Sequence, residues 1–120
     1  MTTNDTDIVK LITEGIQERK GRKITHIDLS DNESAAASHF LICQGTSSMH
    51  VSSIADSVRD YLLENANIKP YNYDGYQNSE WIVIDYGNVL VHVFMPETRQ
   101  RYNLEELWND ALLTEIPDLD

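Results

Sequence analysis

Three stretches of this chain space their apolar residues for helices, and five place them in runs or on alternate positions as strands do. "NDTDIVKLITEGIQERKG" puts Ile8, Leu11, Ile12 and Ile16 on one helical face, with Asp5 or Thr6 as cap and Gly21 beyond its basic last turn. "KITHIDLS" alternates weakly and predicts a strand. After the polar connection "DNESAAAS", "HFLICQG" is a nearly continuous apolar run, as expected of a strand covered on both faces. "TSSMHVSSIADSVRDYLLENANI" predicts a second helix, capped by Ser47 or Ser48, with Val51, Ile54, Ala55, Val58 and Leu62 forming its stripe. "KPYNYDGY" predicts a short edge strand that begins after Pro70 and ends at Asp74-Gly75. "WIVIDYGNVLVHVF" predicts two strands around Gly87-Asn88. "NLEELWNDALL" predicts a last helix, with Asn103 and Glu106 as a capping box, Leu104, Leu107, Trp108 and Ala111 inward, and Pro117 blocking extension. The order α, β, β, α, β, β, β, α makes one α/β domain over residues 1–120, with its core over about 5–114. Helices flank a mixed five-stranded sheet.

The two-residue Gly-Asn loop sets the hairpin register, because both positions tolerate positive φ. Tyr86 then faces Val89, and cross-strand partners share a face. One face carries Ile82, Ile84 and Tyr86 against Val93, Val91 and Val89, and belongs to a core. The other pairs Trp81 with Phe94, Val83 with His92, and Asp85 with Leu90. Two arrangements suit this second face. A helix of the same chain covers it, or it awaits another molecule, since contiguous apolar surface rimmed by polar groups marks binding sites.

At 120 residues the chain holds one core, and no apolar run is long enough to span a membrane. The polar, acidic start "MTTNDTDIVK" reads as neither a signal nor a transit peptide. Cys43 is the single cysteine, so no internal disulfide forms and a reducing cytoplasm is expected. The formal net charge is −11, and residues 61–120 carry three Lys/Arg against eleven Asp/Glu. So acidic a surface repels phosphate, which argues against direct gripping of nucleic acid and favours a basic protein partner.

Candidate chemistry is sparse. The turn Gly45-Thr46-Ser47, between a strand and a helix, resembles the phosphate turn of nucleotidyltransferases, and helix N-termini do attract phosphate. Such enzymes also need paired carboxylates for Mg²⁺. No D-x-D follows on a strand, and Asp85 stands alone, so helix capping is the expected role of Ser47 or Ser48. Cys43 reads as a buried thiol rather than a nucleophile. His26, His39, His50 and His92 show no metal-ligand spacing. Neither a cofactor nor a metal is expected.

"CQGTSSMHVSSIADSV" and "DGYQNSEWIVIDYGNVLVHVFMPETRQRYNLEELWNDA" together resemble the ribosomal silencing factor family, also called Iojap-related, from about Ile24 to Ala111. The resemblance implies a nucleotidyltransferase-like fold without the catalytic carboxylates, and no enzymatic activity. It implies binding to the large ribosomal subunit through its protein fourteen, a steric block to small-subunit joining, and lowered translation when nutrients are scarce. It also implies a homodimer in the absence of ribosomes. Carried over position by position, it assigns partner contact to Trp81, Asp85, Tyr86, His92, Phe94, Glu97, Arg99 and Tyr102. Two other readings compete: an enzyme that uses the Gly45-Thr46-Ser47 turn for a triphosphate, and a structural dimer built on the Trp81 face. The chain departs from the family pattern at Asp74, where glutamate is usual, and at Ser38-His39. Its connection "DNESAAAS" is also longer and more acidic.

Overall fold

The computed structural model describes residues 4–119; the start of the stretch read against a leader peptide, residues 1–3, lies outside them. In chain order the elements are α1 (Asp5–Glu18), β1 (Arg22–Asp28), β2 (His39–Gln44), α2 (Ser48–Ala66), β3 (Asn72–Asp74), β4 (Trp81–Asp85), β5 (Val89–Phe94), α3 (Pro96–Tyr102), α4 (Leu104–Leu107) and β6 (Leu112–Ile116). Asn4, one residue before the expected caps, starts α1 by accepting the Asp7 N–H at 2.9 Å. Ser47 caps α2, its hydroxyl accepting the His50 N–H at 3.1 Å. The helix stops at Asn67, which adopts the left-handed conformation.

The sheet order is β3-β4-β5-β2-β1-β6, with β2 and β5 parallel and the other neighbours antiparallel. The hairpin register is the one the loop demands: Trp81 pairs with Phe94, Val83 with His92 and Asp85 with Leu90. The Asp85 carboxylate closes the turn by accepting the Gly87 N–H at 2.7 Å, and Gly87 takes φ +87°. β3 is the expected edge strand and ends at Gly75. At φ +103° any side chain at Gly75 would be strained, and a Cβ there would collide with the Trp81 carbonyl oxygen.

Both faces of the sheet are covered. The stripes of α1 and α2, including Ile12, Ile16, Ile54, Val58 and Leu62, pack on Leu41, Cys43, Ile82, Ile84, Val91 and Val93 to form the main core. Gly15 lets the helices approach closely; a Cβ there would lie 3.0 Å from the Val58 Cα. On the second face Ile27, Phe40, Ile42 and Phe94 form a smaller core, roofed by Leu104, Trp108 and Ala111.

The C-terminal quarter departs from expectation in four ways. The sheet has six strands rather than five, because the predicted last helix is a single turn, α4, followed by β6 paired antiparallel to β1. Asn109 and Asp110, poor helix formers, break the periodicity, and Leu113 and Ile116 gain more by joining the sheet beside Ile27 and Ile24. Asn103 sits at φ 45°, ending α3 in the left-handed conformation, so its side chain makes no capping bond. Of the four residues read as the inner face, Leu107 points to solvent. Finally, α3 occupies a stretch to which the pattern assigns no element, although it carries helix signals: Pro96 in its first turn with Glu97, and Arg99 and Arg101 in its last.

Candidate partner-binding face

The second face of the hairpin is half covered by its own chain. Phe94 is 1% exposed and His92 5%, so the expectation that Phe94 faces outward beside Trp81 is corrected. The roof follows from α3 and α4 folding back over β5. Trp81, nearer the sheet edge, keeps part of its indole in solvent. The indole stacks on Phe94, with ring centroids 5.0 Å apart, and meets the Tyr102 ring at 4.7 Å. Tyr102 is itself 52% exposed. Beside the two rings lies a hollow of about 290 Å³ whose lining includes Asp74, Glu80, Thr98 and Arg101.

His92 fixes the indole from below. The Trp81 Nε1–H donates to His92 Nδ1 at 3.0 Å, so the imidazole is neutral and carries its proton on Nε2. Phe40 and Phe94 flank the ring at 4.8 and 6.1 Å, and Nε2 is buried with no partner among the described residues. Burial holds its pKa down at about 4. The native state therefore binds the proton less readily than the unfolded chain. The stability His92 contributes is present above about pH 6.5 and drains away as pH falls toward 4. A shift of this size corresponds to roughly 3 kcal/mol. His92→Gln should flatten the dependence, seen as a smaller change in urea midpoint between pH 7 and pH 4.5 than in the parent protein.

The other expected contact residues divide by burial. Asp85 is half-buried and bound to its own turn, while Glu97 is exposed at the start of α3. Tyr86 is 6% exposed and packs within the main core, where burial pushes its phenol pKa up. Arg99 is 8% exposed and points into the sheet. It donates to the Lys23 carbonyl at 2.7 Å, Gln44 Oε1 at 3.3 Å and Thr25 Oγ1 at 3.1 Å, and its Nε lies 3.5 Å from Glu105 Oε2. These bonds tie α3 to β1 and β2. Trp81, Asp85, Glu97 and Tyr102 can thus touch another molecule directly, whereas His92, Phe94 and Arg99 support the surface from beneath and Tyr86 belongs to the core on the opposite face.

Among the described residues, no carboxylate stands on the strands flanking β2 at the Gly45-Thr46-Ser47 turn. At its end of the sheet, Gln44 of β2 is flanked by Phe94 of β5 and Arg22 of β1. Cys43 is fully buried, which pushes its thiol pKa up to about 12 and keeps it un-ionised. His50 bridges the first two helices instead of serving chemistry: its Nδ1 accepts the Thr46 N–H at 2.9 Å and its Nε2 meets the Arg19 carbonyl at 2.7 Å. His26 and His39, separate in the sequence, share a hydrogen bond of 2.9 Å across β1 and β2, a pairing only the register reveals. No group of three metal-ligating side chains occurs among the described residues.

A family model described as "Ribosomal silencing factor during starvation" matches residues 2–120. "Ribosomal silencing factor RsfS" of Bacillus subtilis (strain 168) is 34% identical over 113 residues, which cover 94% of each chain. "Protein Iojap, chloroplastic" of Zea mays is 36% identical over 78 residues, covering 65% of this chain and 33% of that one. A crystal structure of a Chromobacterium violaceum protein superposes with a TM-score of 0.84 at 32% identity, covering 89% of this chain and 88% of the other.

Proposed function

Because this chain belongs to the ribosomal silencing factor family, we propose that it binds the large ribosomal subunit through that subunit's protein fourteen and bars the small subunit by its bulk, lowering translation when nutrients are scarce. The observation that carries this reading is the Trp81–Tyr102 pair. An indole locked from below by His92 and Phe94, yet open on its outer edge, is an anchor whose ordering cost is already met in the free protein. Asp74 and Glu80 line the hollow beside it together with Arg101, and Asp85 and Glu97 add acidic charge that keeps solvent contact on β4 and α3. They match a basic ribosomal protein and would speed encounter through complementary charge.

The mechanism makes and breaks no bond. A body of 33 × 33 × 28 Å seated on one subunit fills space that the other must enter. The requirement is that binding outcompete subunit joining. An interface of ~1,600 Å² in total suffices when a few anchors are well desolvated. The test is light scattering of mixed small and large subunits. A several-fold molar excess of the protein should suppress the rise in scattering that reports association; an unchanged rise would refute the proposal.

A further inference from the structure

A second surface, sharing no lining residue with the hollow beside Trp81, has chemistry of its own. It is a groove of about 1080 Å³ on the second face of the sheet. Thr25 and Gln44 are among its floor residues, α3 and α4 supply one wall, and β6 with Pro117 and Asp118 the other. Glu105 stands on the first wall. Its Oε2 meets Arg99 Nε at 3.5 Å, but its Oε1 is buried without a hydrogen-bond partner among the described residues. Three of the five N–H donors of Arg99 go to Lys23, Gln44 and Thr25, and none of the others bonds Oε1. On the opposite wall Glu115 is exposed, shares the groove face with Thr25, and has no ion pair among the described residues. Leu113 and Pro117 line the same wall with apolar surface.

We propose that this groove receives a lysine or arginine side chain from an extended, basic segment of a partner protein, with Glu105 and Glu115 holding the cation and the outer edge of β6 pairing with the segment's backbone. A buried carboxylate oxygen without a donor is a standing demand for one, and a second carboxylate across the groove gives that demand a sign. The apolar wall suits the methylene stem that carries such a cation. β6 is an edge strand, hydrogen-bonded to β1 alone, so its outward N–H and C=O groups are free to accept an added strand. A second copy of this chain is a poor occupant. Pairing β6 with β6 would bring two Glu115 carboxylates onto one small ribbon, with Asp118 close by. The lining sets three carboxylates, Glu105, Glu115 and Asp118, against Lys23 and the already engaged Arg99, a balance that disfavours nucleic acid. This groove shares no lining residue with the hollow beside Trp81 proposed for the ribosome.

The test is a titration of the isotope-labelled full-length protein, followed by amide chemical shifts. The probe is the blocked hexapeptide Val-Lys-Val-Arg-Val-Lys, compared with the same peptide bearing glutamate at its charged positions. The basic peptide should shift Leu112–Ile116 and the Asn103 side chain, and the acidic peptide should leave them unmoved. Glu115→Lys and Glu105→Gln should each weaken binding about tenfold, while Trp81→Ala should leave it unchanged. Glu115 is exposed, so its variant keeps the test decisive should Glu105→Gln fail to fold. Shifts spread over all acidic surfaces, binding that survives Glu115→Lys, or equal competition by spermidine would overturn the proposal. No ribosome enters this experiment, so its failure and that of the scattering assay are distinct results.

Discussion

Replacing Trp81 with alanine should lower capture of large ribosomal subunits at least about 30-fold while the protein stays folded. The figure follows from the ~2 kcal/mol or more by which a central aromatic anchor stabilises an interface. Two features make Trp81 such an anchor. Its ring is immobilised by the bond to His92 Nδ1 and the stack on Phe94, so little side-chain entropy remains to be lost on docking. It also lies next to the exposed Tyr102 and the hollow lined by Asp74, Glu80 and Arg101. The fold should survive because the main core between the sheet and the first two helices does not include this residue. Co-sedimentation of the variant with large subunits, alongside its circular dichroism spectrum, separates lost binding from lost structure. A folded variant that still co-sediments at wild-type affinity would remove Trp81 from the interface.

The second large effect is on stability. Arg99→Met should cost about 3–5 kcal/mol, the range found when one member of a buried ion pair is removed. The Lys23 carbonyl, Thr25 Oγ1 and Gln44 Oε1 would all lose a donor, and the Glu105 carboxylate its neutralising charge. Arg99→Lys should rescue little of it, since a single ammonium cannot reach partners spread around a planar guanidinium. Urea unfolding, comparing midpoints at constant m-value, measures both variants. A consequence for function follows, because α3 carries Tyr102 against the indole. A loosened α3 should weaken ribosome binding through a residue that touches no partner.

The hairpin was legible in the sequence because a two-residue loop leaves one register and alternation then assigns both faces. Cross-strand pairs from Trp81–Phe94 to Asp85–Leu90 came out as expected. Local signals were also sufficient for the Ser47 cap and the stripe of α2. What stayed hidden depends on long-range geometry. Alternation shows that Phe94 and His92 share a face with Trp81, but not that Trp108 and Ala111 return to cover part of it. Arg99 sits among exposed and charged neighbours on a short helix; its burial arises from a cavity formed by residues more than fifty positions away. Family likeness names eight residues for one job, and half of them lie under the surface, where they can only support it. β6 was missed because a helical spacing of Leu104, Trp108 and Ala111 continues smoothly into Leu112, and only the open edge of β1 makes extension the better choice.

That β6 closes against β1 joins the last strand of the sheet to the first. During synthesis the outer edge of β1 stays unpaired, and Phe40 and Phe94 have no lid, until residues 104–116 have emerged. A nascent copy paused short of them would present greasy, unfinished surface to whatever waits at the tunnel mouth.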